Sequence, residues 1–159
     1  MKFAFIGYGT HAKRIEKILK NHNELFSTYS LKRNWNCSDI IQDTKAVFIT
    51  SPNSTHLNNI KKIQNIDREI FIYCEKPIVN SNFEITLINK ILESGKIYPG
   101  FNLRRSKLKE IIFEHEESLG TINSININIS YPFSLRDNFA NSWKSQRLFS
   151  PLGVFENLS

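Results

Sequence analysis

The stretch KFAFIGYGTHAKRI, Lys2–Ile15, decides the fold. Its opening, KFAFIG, is an apolar run closed by glycine and reads as a short buried strand. Gly7, Gly9 and Ala12 then form G-x-G-x-x-A. Ala12, Ile15, Ile18 and Leu19 recur at helical spacing, and Asn21 and His22 end the helix. A lone G-x-G-x-x-A also fits a plain structural turn. Here it lies between a strand and a helix start, the context in which it binds dinucleotides. Gly7 permits the tight turn, Gly9 the approach of a pyrophosphate, and Ala12 close helix–strand packing. Free N–H groups at the helix start, around Thr10 and His11, and the helix dipole favour the phosphates.

The same grammar continues outward. LFSTYS (Leu25–Ser30), AVFIT (Ala46–Thr50), EIFIYC (Glu69–Cys74) and IYPGFN (Ile97–Asn102) read as strands. AVFIT closes on SPN, a turn signal. Between strands, Leu57, Ile60 and Ile63 mark one amphipathic helix. Ser81 and Glu84 have capping-box spacing and open another, with Ile85, Ile88, Ile91 and Leu92 inward and Gly95 as its C-terminal cap. Alternating strands and helices predict a doubly wound parallel sheet covered on both faces.

Near residue 104 the pattern changes. Leu108, Ile111 and Ile112 suggest a helix ending near Gly120, and INSININISY (Ile122–Tyr131) alternates apolar and polar residues as a half-buried antiparallel strand does. The reading is a dinucleotide-binding Rossmann-type domain at 1–103. The start of an α+β domain with an antiparallel sheet follows at 104–159, too short for a core of its own.

Composition agrees with this division. At 159 residues, 40% hydrophobic and 23% charged, the chain suits one domain, or one domain and part of another. No apolar run approaches the ~18 residues of a membrane span, and the N-terminus turns basic too soon for a signal peptide. The expected location is cytoplasmic, away from membranes. The net charge of +6 reflects a lysine-rich surface or an anionic partner. No dense Lys/Arg run with interleaved aromatics points to nucleic acid. Cys37 and Cys74 have no metal-ligand spacing, so they read as packing residues and no metal site is expected.

Two stretches bear on chemistry. An Asp or Glu after the second strand would bind the adenine ribose of NAD, but YSLKRN (Tyr29–Asn34) holds none. Lys32 and Arg33 either meet a 2′-phosphate or form a solvated basic loop. The reading is NAD or NADP, leaning to NADP. In IYCEKPIV (Ile72–Val79), Lys76 stands between Glu75 and Pro77 at a strand end, where a fixed ammonium group suits a ligand site.

Together, GYGTHA, ITSPNSTH (Ile49–His56), CEKPI (Cys74–Ile78), GFNLR (Gly100–Arg104), LGTI (Leu119–Ile122), SWK (Ser142–Lys144) and PLGVFENLS (Pro151–Ser159) resemble the glucose–fructose oxidoreductase/inositol dehydrogenase/MocA-like oxidoreductases over essentially the whole chain. The resemblance implies hydride transfer between NAD(P) and a hydroxyl-bearing carbon of a sugar, inositol or nucleotide-sugar. It places Ser51, Pro52, Asn53 and His56 at the cofactor, although His56 also reads as a helix starter. It makes Lys76 the active-site lysine, flanked by Glu75 and a cis Pro77. Asn102, Arg104, Trp143 and Lys144 match positions of the substrate pocket. A homo-oligomer is implied by the later sheet.

Three departures accompany the resemblance. LKRNWNCSDIIQDTK (Leu31–Lys45) holds at most a short helix around Ser38–Gln42 where the family has a helix and another strand. A strand–helix unit on the adenine side is therefore expected to be missing. PLG replaces a glycine run. Asn157 aligns with an Asp, and the catalytic His would fall two residues beyond Ser159. A C-terminally truncated and inactive chain is the expectation. A non-catalytic dinucleotide-binding regulator, or a remnant of the same fold, is the alternative.

Overall fold

A computed structural model of the chain describes residues 1–22, 27–79, 89, 91, 93, 96–101, 107–121, 123, 124, 126 and 128. Strand β1 (Lys2–Ile6) leads into helix α1 (Thr10–His22), then β2 (Ser27–Leu31) and a 3₁₀ turn at Cys37–Asp39. Strand β3 (Thr44–Ile49) is followed by a second 3₁₀ turn (Asn53–Thr55), helix α2 (His56–Ile66) and strands β4 (Phe71–Cys74) and β5 (Ile97–Pro99). Two short helices, α3 (Lys107–Glu114) and α4 (Glu116–Leu119), come later. The interruption at His115 divides what the sequence presents as one helix, and Gly120 ends the second piece at φ +62°. Ile111 and Ile112 are exposed among the described residues.

Among the described residues five strands form one parallel sheet, in the order β2-β1-β3-β4-β5. A doubly wound dinucleotide sheet has the order 3-2-1-4-5-6. Among the described residues a single strand flanks β1 on the outer side, and the connection from β2 to β3 holds neither a further strand nor an α-helix, as its shortness predicts. The chain winds outward from β1 to β2 and, after β3, the opposite way to β4. Right-handed crossovers then place α1 and α2 on opposite faces. The direction reverses between β1 and β3, which makes their C-terminal ends a topological switch point.

The α2 face holds the core. Ala4 and Ile6 of β1, Val47 and Ile49 of β3, and Ile72 and Cys74 of β4 form one buried cluster with Leu57, Ile60 and Ile63 of α2. Alternation follows from the pleat, since every second side chain shares a face. Burying each such aliphatic side chain stabilises by about 1.5–3 kcal/mol relative to exposure. The other face is aromatic. Phe48 stacks on Phe5 with ring centroids 5.0 Å apart, and meets Phe3 edge-on.

Several boundaries differ from the sequence reading. The short helix expected around Ser38–Gln42 is a single 3₁₀ turn one residue earlier. It is held by the Asn36 N–H donating to Asp39 Oδ2 (2.7 Å) and the Asp39 N–H donating to the Asn36 carbonyl (2.9 Å). Pairing of β5 ends at Pro99, although the Gly100 N–H still donates to Cys74 O. Cys74 is buried as expected of a packing residue, whereas Cys37 is exposed on the 3₁₀ turn. Of the helix opened by Ser81, Ile91 is described, helical and buried in the core as expected, while most of that helix, the alternating Ile residues of 122–131, and Asn102, Arg104, Trp143, Lys144 and Asn157 lie outside the described residues.

Among the described residues no helix is long and apolar enough to cross a membrane. None of their His, Cys, Asp and Glu side chains forms a group that could hold a metal ion.

Candidate functional site

The glycine loop lies at the switch point. Gly7 has φ +85°, and a Cβ there would stand 2.6 Å from the Cα and N of Ser51, the residue that follows β3 and Thr50. Thr50 closes the same gap, with its N–H donating to Ile6 O (2.9 Å). Gly7 is therefore required for contact between two strand ends. Gly9 differs: a Cβ there meets nothing within 4 Å. That open space lies in front of the helix start. The Lys13 N–H donates to Gly9 O (3.1 Å) as the first turn closes, so the preceding amides of Thr10, His11 and Ala12 have no intrahelical acceptor. Ala12 is fully buried, as close packing requires.

The strand-end loop after β4 faces this turn. The Lys76–Pro77 peptide is cis. Glu75 Oε1 lies 2.7 Å from His11 Nε2 and accepts from the Tyr73 hydroxyl (2.6 Å). Burial pushes the Glu75 carboxyl up. Hydrogen bonds from His11 and Tyr73, the nearby His11 charge and the Lys76 backbone N–H outweigh that and hold it below the ordinary value. The sequence suggests that His11 faces solvent or phosphates, and its side chain is exposed; it also meets Glu75, joining the glycine loop to the loop of Lys76. Burial, together with the Glu75 bond, pushes the Tyr73 hydroxyl well above its usual range, so it stays a donor. Gly100 completes the packing, because a Cβ there would lie 2.7 Å from the Tyr73 hydroxyl oxygen.

Behind these loops stands His56. It begins α2 and is fully buried. Its Nδ1 lies 2.7 Å from Pro77 O and its Nε2 2.8 Å from Ser51 O. A direct cofactor contact, expected from its place in S-P-N-x-x-H, is incompatible with this burial. The ring instead fixes two loops that border the site. Asn53 is likewise buried, at 3% exposure, within its 3₁₀ turn. Ser51 Oγ pairs with Thr55 Oγ1 (2.6 Å).

At the end of β2 a cavity of about 710 Å³ opens beside the glycine loop. Its walls include Gly7, Leu31, Arg33, Ser51 and Pro52. Lys32, exposed at the end of β2, is not among the lining residues. Trp35, which the sequence reading passes over, lines the cavity too, although it is buried at 1% exposure. Its Nε1–H donates to Asn59 Oδ1 (3.0 Å), and Asn59 Nδ2 donates to Ser51 Oγ (3.3 Å). The only signal for Trp35 is a large aromatic residue alone in a polar connection.

An open space before a helix start, backed by two strand ends that only glycine lets meet, fits a dinucleotide pyrophosphate. No family model matches the sequence. No curated protein matches it either. Solved structures do. A candidate NADPH-dependent oxidoreductase from Desulfitobacterium hafniense superposes with a TM-score of 0.72 at 21% identity, covering 99% of this chain and 51% of that one. The fold is that of these oxidoreductases. A Gfo/Idh/MocA family oxidoreductase from Vibrio cholerae gives 0.58 at 19% identity, over 74% of this chain and 44% of that one. The WlbA (WbpB) dehydrogenase from Thermus thermophilus, solved with NAD and UDP-GlcNAcA, gives 0.63 at 17% identity, over 99% of this chain and 59% of that one. The likeness at these identities is one of fold, and the chain spans roughly half the length of the structures it matches.

Proposed function

We propose that residues 1–159 supply the dinucleotide-binding half of an NAD(P)-dependent oxidoreductase of the Gfo/Idh/MocA type. The substrate class is a sugar or nucleotide-sugar oxidised or reduced at a hydroxyl-bearing carbon. One observation carries this reading: the glycine loop at the switch point is joined to the loop that carries Lys76 by the contact of His11 with Glu75. Gly9 and the amides of Thr10, His11 and Ala12 would hold the pyrophosphate. Ser51, Pro52 and Arg33 would border the adenosine half. A bound nicotinamide exchanges a hydride with the substrate carbon.

This chain's part is positioning and charge. Lys76 donates to the reacting oxygen and stabilises negative charge there. Glu75, His56 and Pro77 fix the loop that carries it. Asn102, Arg104, Trp143 and Lys144 would contact substrate, and Asn157 would hydrogen-bond near the reacting centre. The proton acceptor implied by the resemblance, a His, is not among residues 1–159. The protein works in the cytoplasm as a homo-oligomer, in two parts, 1–103 and 104–159.

The test joins binding and turnover. Residues 1–159 are expected to bind NAD(P)H saturably and to give no turnover with sugars or nucleotide-sugars. Turnover by this chain contradicts the need for an outside base. Absence of binding contradicts the reading as a whole. A non-catalytic dinucleotide-binding regulator is the second reading, favoured by the missing strand–helix unit. It predicts binding by a longer chain that also lacks turnover.

A further inference from the structure

The cavity at the end of β2 contains a second cation that the sequence pattern does not announce. Lys62 lies on the second turn of α2, remote in sequence from the β2 end, yet it lines the same cavity as Arg33. Its Nζ donates to Trp35 O (2.8 Å) and sits 4.6 Å from the centroid of the Trp35 ring. Trp35 is in turn tied through Asn59 to Ser51. The ammonium is thus held by a buried polar chain that runs back to the β3 loop beside Gly7. An ammonium has three donors, and Trp35 O takes one.

The chemistry of the remaining wall is one-sided. Asn34, Asn36 and Asn58 add amide groups, and no carboxylate lines the cavity among the described residues. A ribose diol is ordinarily held there by an acidic side chain after β2. Two cations with amide donors and no acid suit a dianionic group instead. The connection Lys32–Asp43 holds a 3₁₀ turn but no strand and no α-helix, and residues of α2 and of the β2 end line one cavity together.

We infer that Lys62, seated on Trp35, forms with Arg33 a pair that recognises the phosphorylated ribose of adenosine, and so selects NADP over NAD. The inference rests on the dinucleotide reading of the glycine loop. A lost charge-assisted hydrogen bond changes affinity by about tenfold or more.

The experiment is a calorimetric titration of residues 1–159 at fixed salt with NADP, NAD and 2′,5′-ADP. The wild-type chain is expected to bind NADP at least about tenfold more tightly than NAD, and to bind 2′,5′-ADP. Lys62→Met, which keeps the stem over Trp35, is expected to weaken NADP and 2′,5′-ADP by about tenfold while NAD stays within about twofold. Lys62→Arg restores the preference. Asn34→Asp, an exposed change at the β2 end, reverses it and secures the test if Lys62→Met does not fold. NADP binding no tighter than NAD, or equal losses for both in Lys62→Met, overturns the inference and leaves the dinucleotide reading standing. Binding of none of the three overturns both.

Discussion

His56 Nδ1 lies 2.7 Å from the carbonyl oxygen of Pro77, so the first turn of α2 is pinned to the cis peptide after β4. The opposite ring nitrogen faces Ser51 O. Carbonyl oxygens only accept. A ring with one hydrogen donates to one of them, and a ring with both donates to each. Two loops from different strands are held by one buried side chain.

His56→Phe tests this tie at nearly constant volume. It leaves Pro77 O and Ser51 O facing a ring that cannot donate, and is expected to cost about 1–3 kcal/mol in urea unfolding. Cofactor affinity should fall with it, because the Ser51 and Lys76 loops lose their common anchor. Wild-type stability in His56→Phe contradicts the role.

The two glycines of one motif should fail differently. Gly7→Ala places a Cβ 2.6 Å from Ser51 backbone at φ +85°, and is expected to lower stability by about 2 kcal/mol or more. Gly9→Ala meets open space, so the melting temperature should stay near wild type while cofactor affinity drops. Thermal melts alongside titrations separate the two.

Much of the sheet is legible in the sequence because its cause is local. KFAFIG, AVFIT and EIFIYC are apolar runs closed by turn residues, and the pleat assigns Ala4 and Ile6 to one face and Phe3 and Phe5 to the other. The missing unit is legible as well, since Lys32–Asp43 is too short for a helix and a strand. Trp35, Asn59 and Lys62 are not legible as a group. Their contacts join the connection after β2 to α2, and no local period links Trp35 to Asn59 and Lys62. The same holds for His11 and Glu75, which only the folded sheet brings together.

Trp35 marks the cost of that long-range packing. Trp35→Ala removes a side chain at 1% exposure and is expected to destabilise by about 3–5 kcal/mol. Trp35→Phe keeps most of the volume but leaves Asn59 Oδ1 without the indole donor, at about 1–3 kcal/mol. Urea midpoints of the two variants check the order.

Glu75 gives an acid-side signature. Its folded carboxyl titrates below the unfolded value of about 4.3. The stability it contributes is therefore complete above that value and lost as pH falls through the folded one. Unfolding midpoints measured from about pH 6 down to pH 3 should decline more steeply for wild type than for Glu75→Gln. Parallel declines contradict the His11–Glu75–Tyr73 arrangement.

The central claim is that the glycine loop cradles a dinucleotide, and calorimetric titration of wild type and Gly9→Val with NADP and NAD tests it most directly. The account predicts saturable one-site binding of at least one of them to wild type, and its loss in a Gly9→Val chain that melts like wild type. Binding that survives unchanged in Gly9→Val, or no binding of either dinucleotide to wild type, contradicts it.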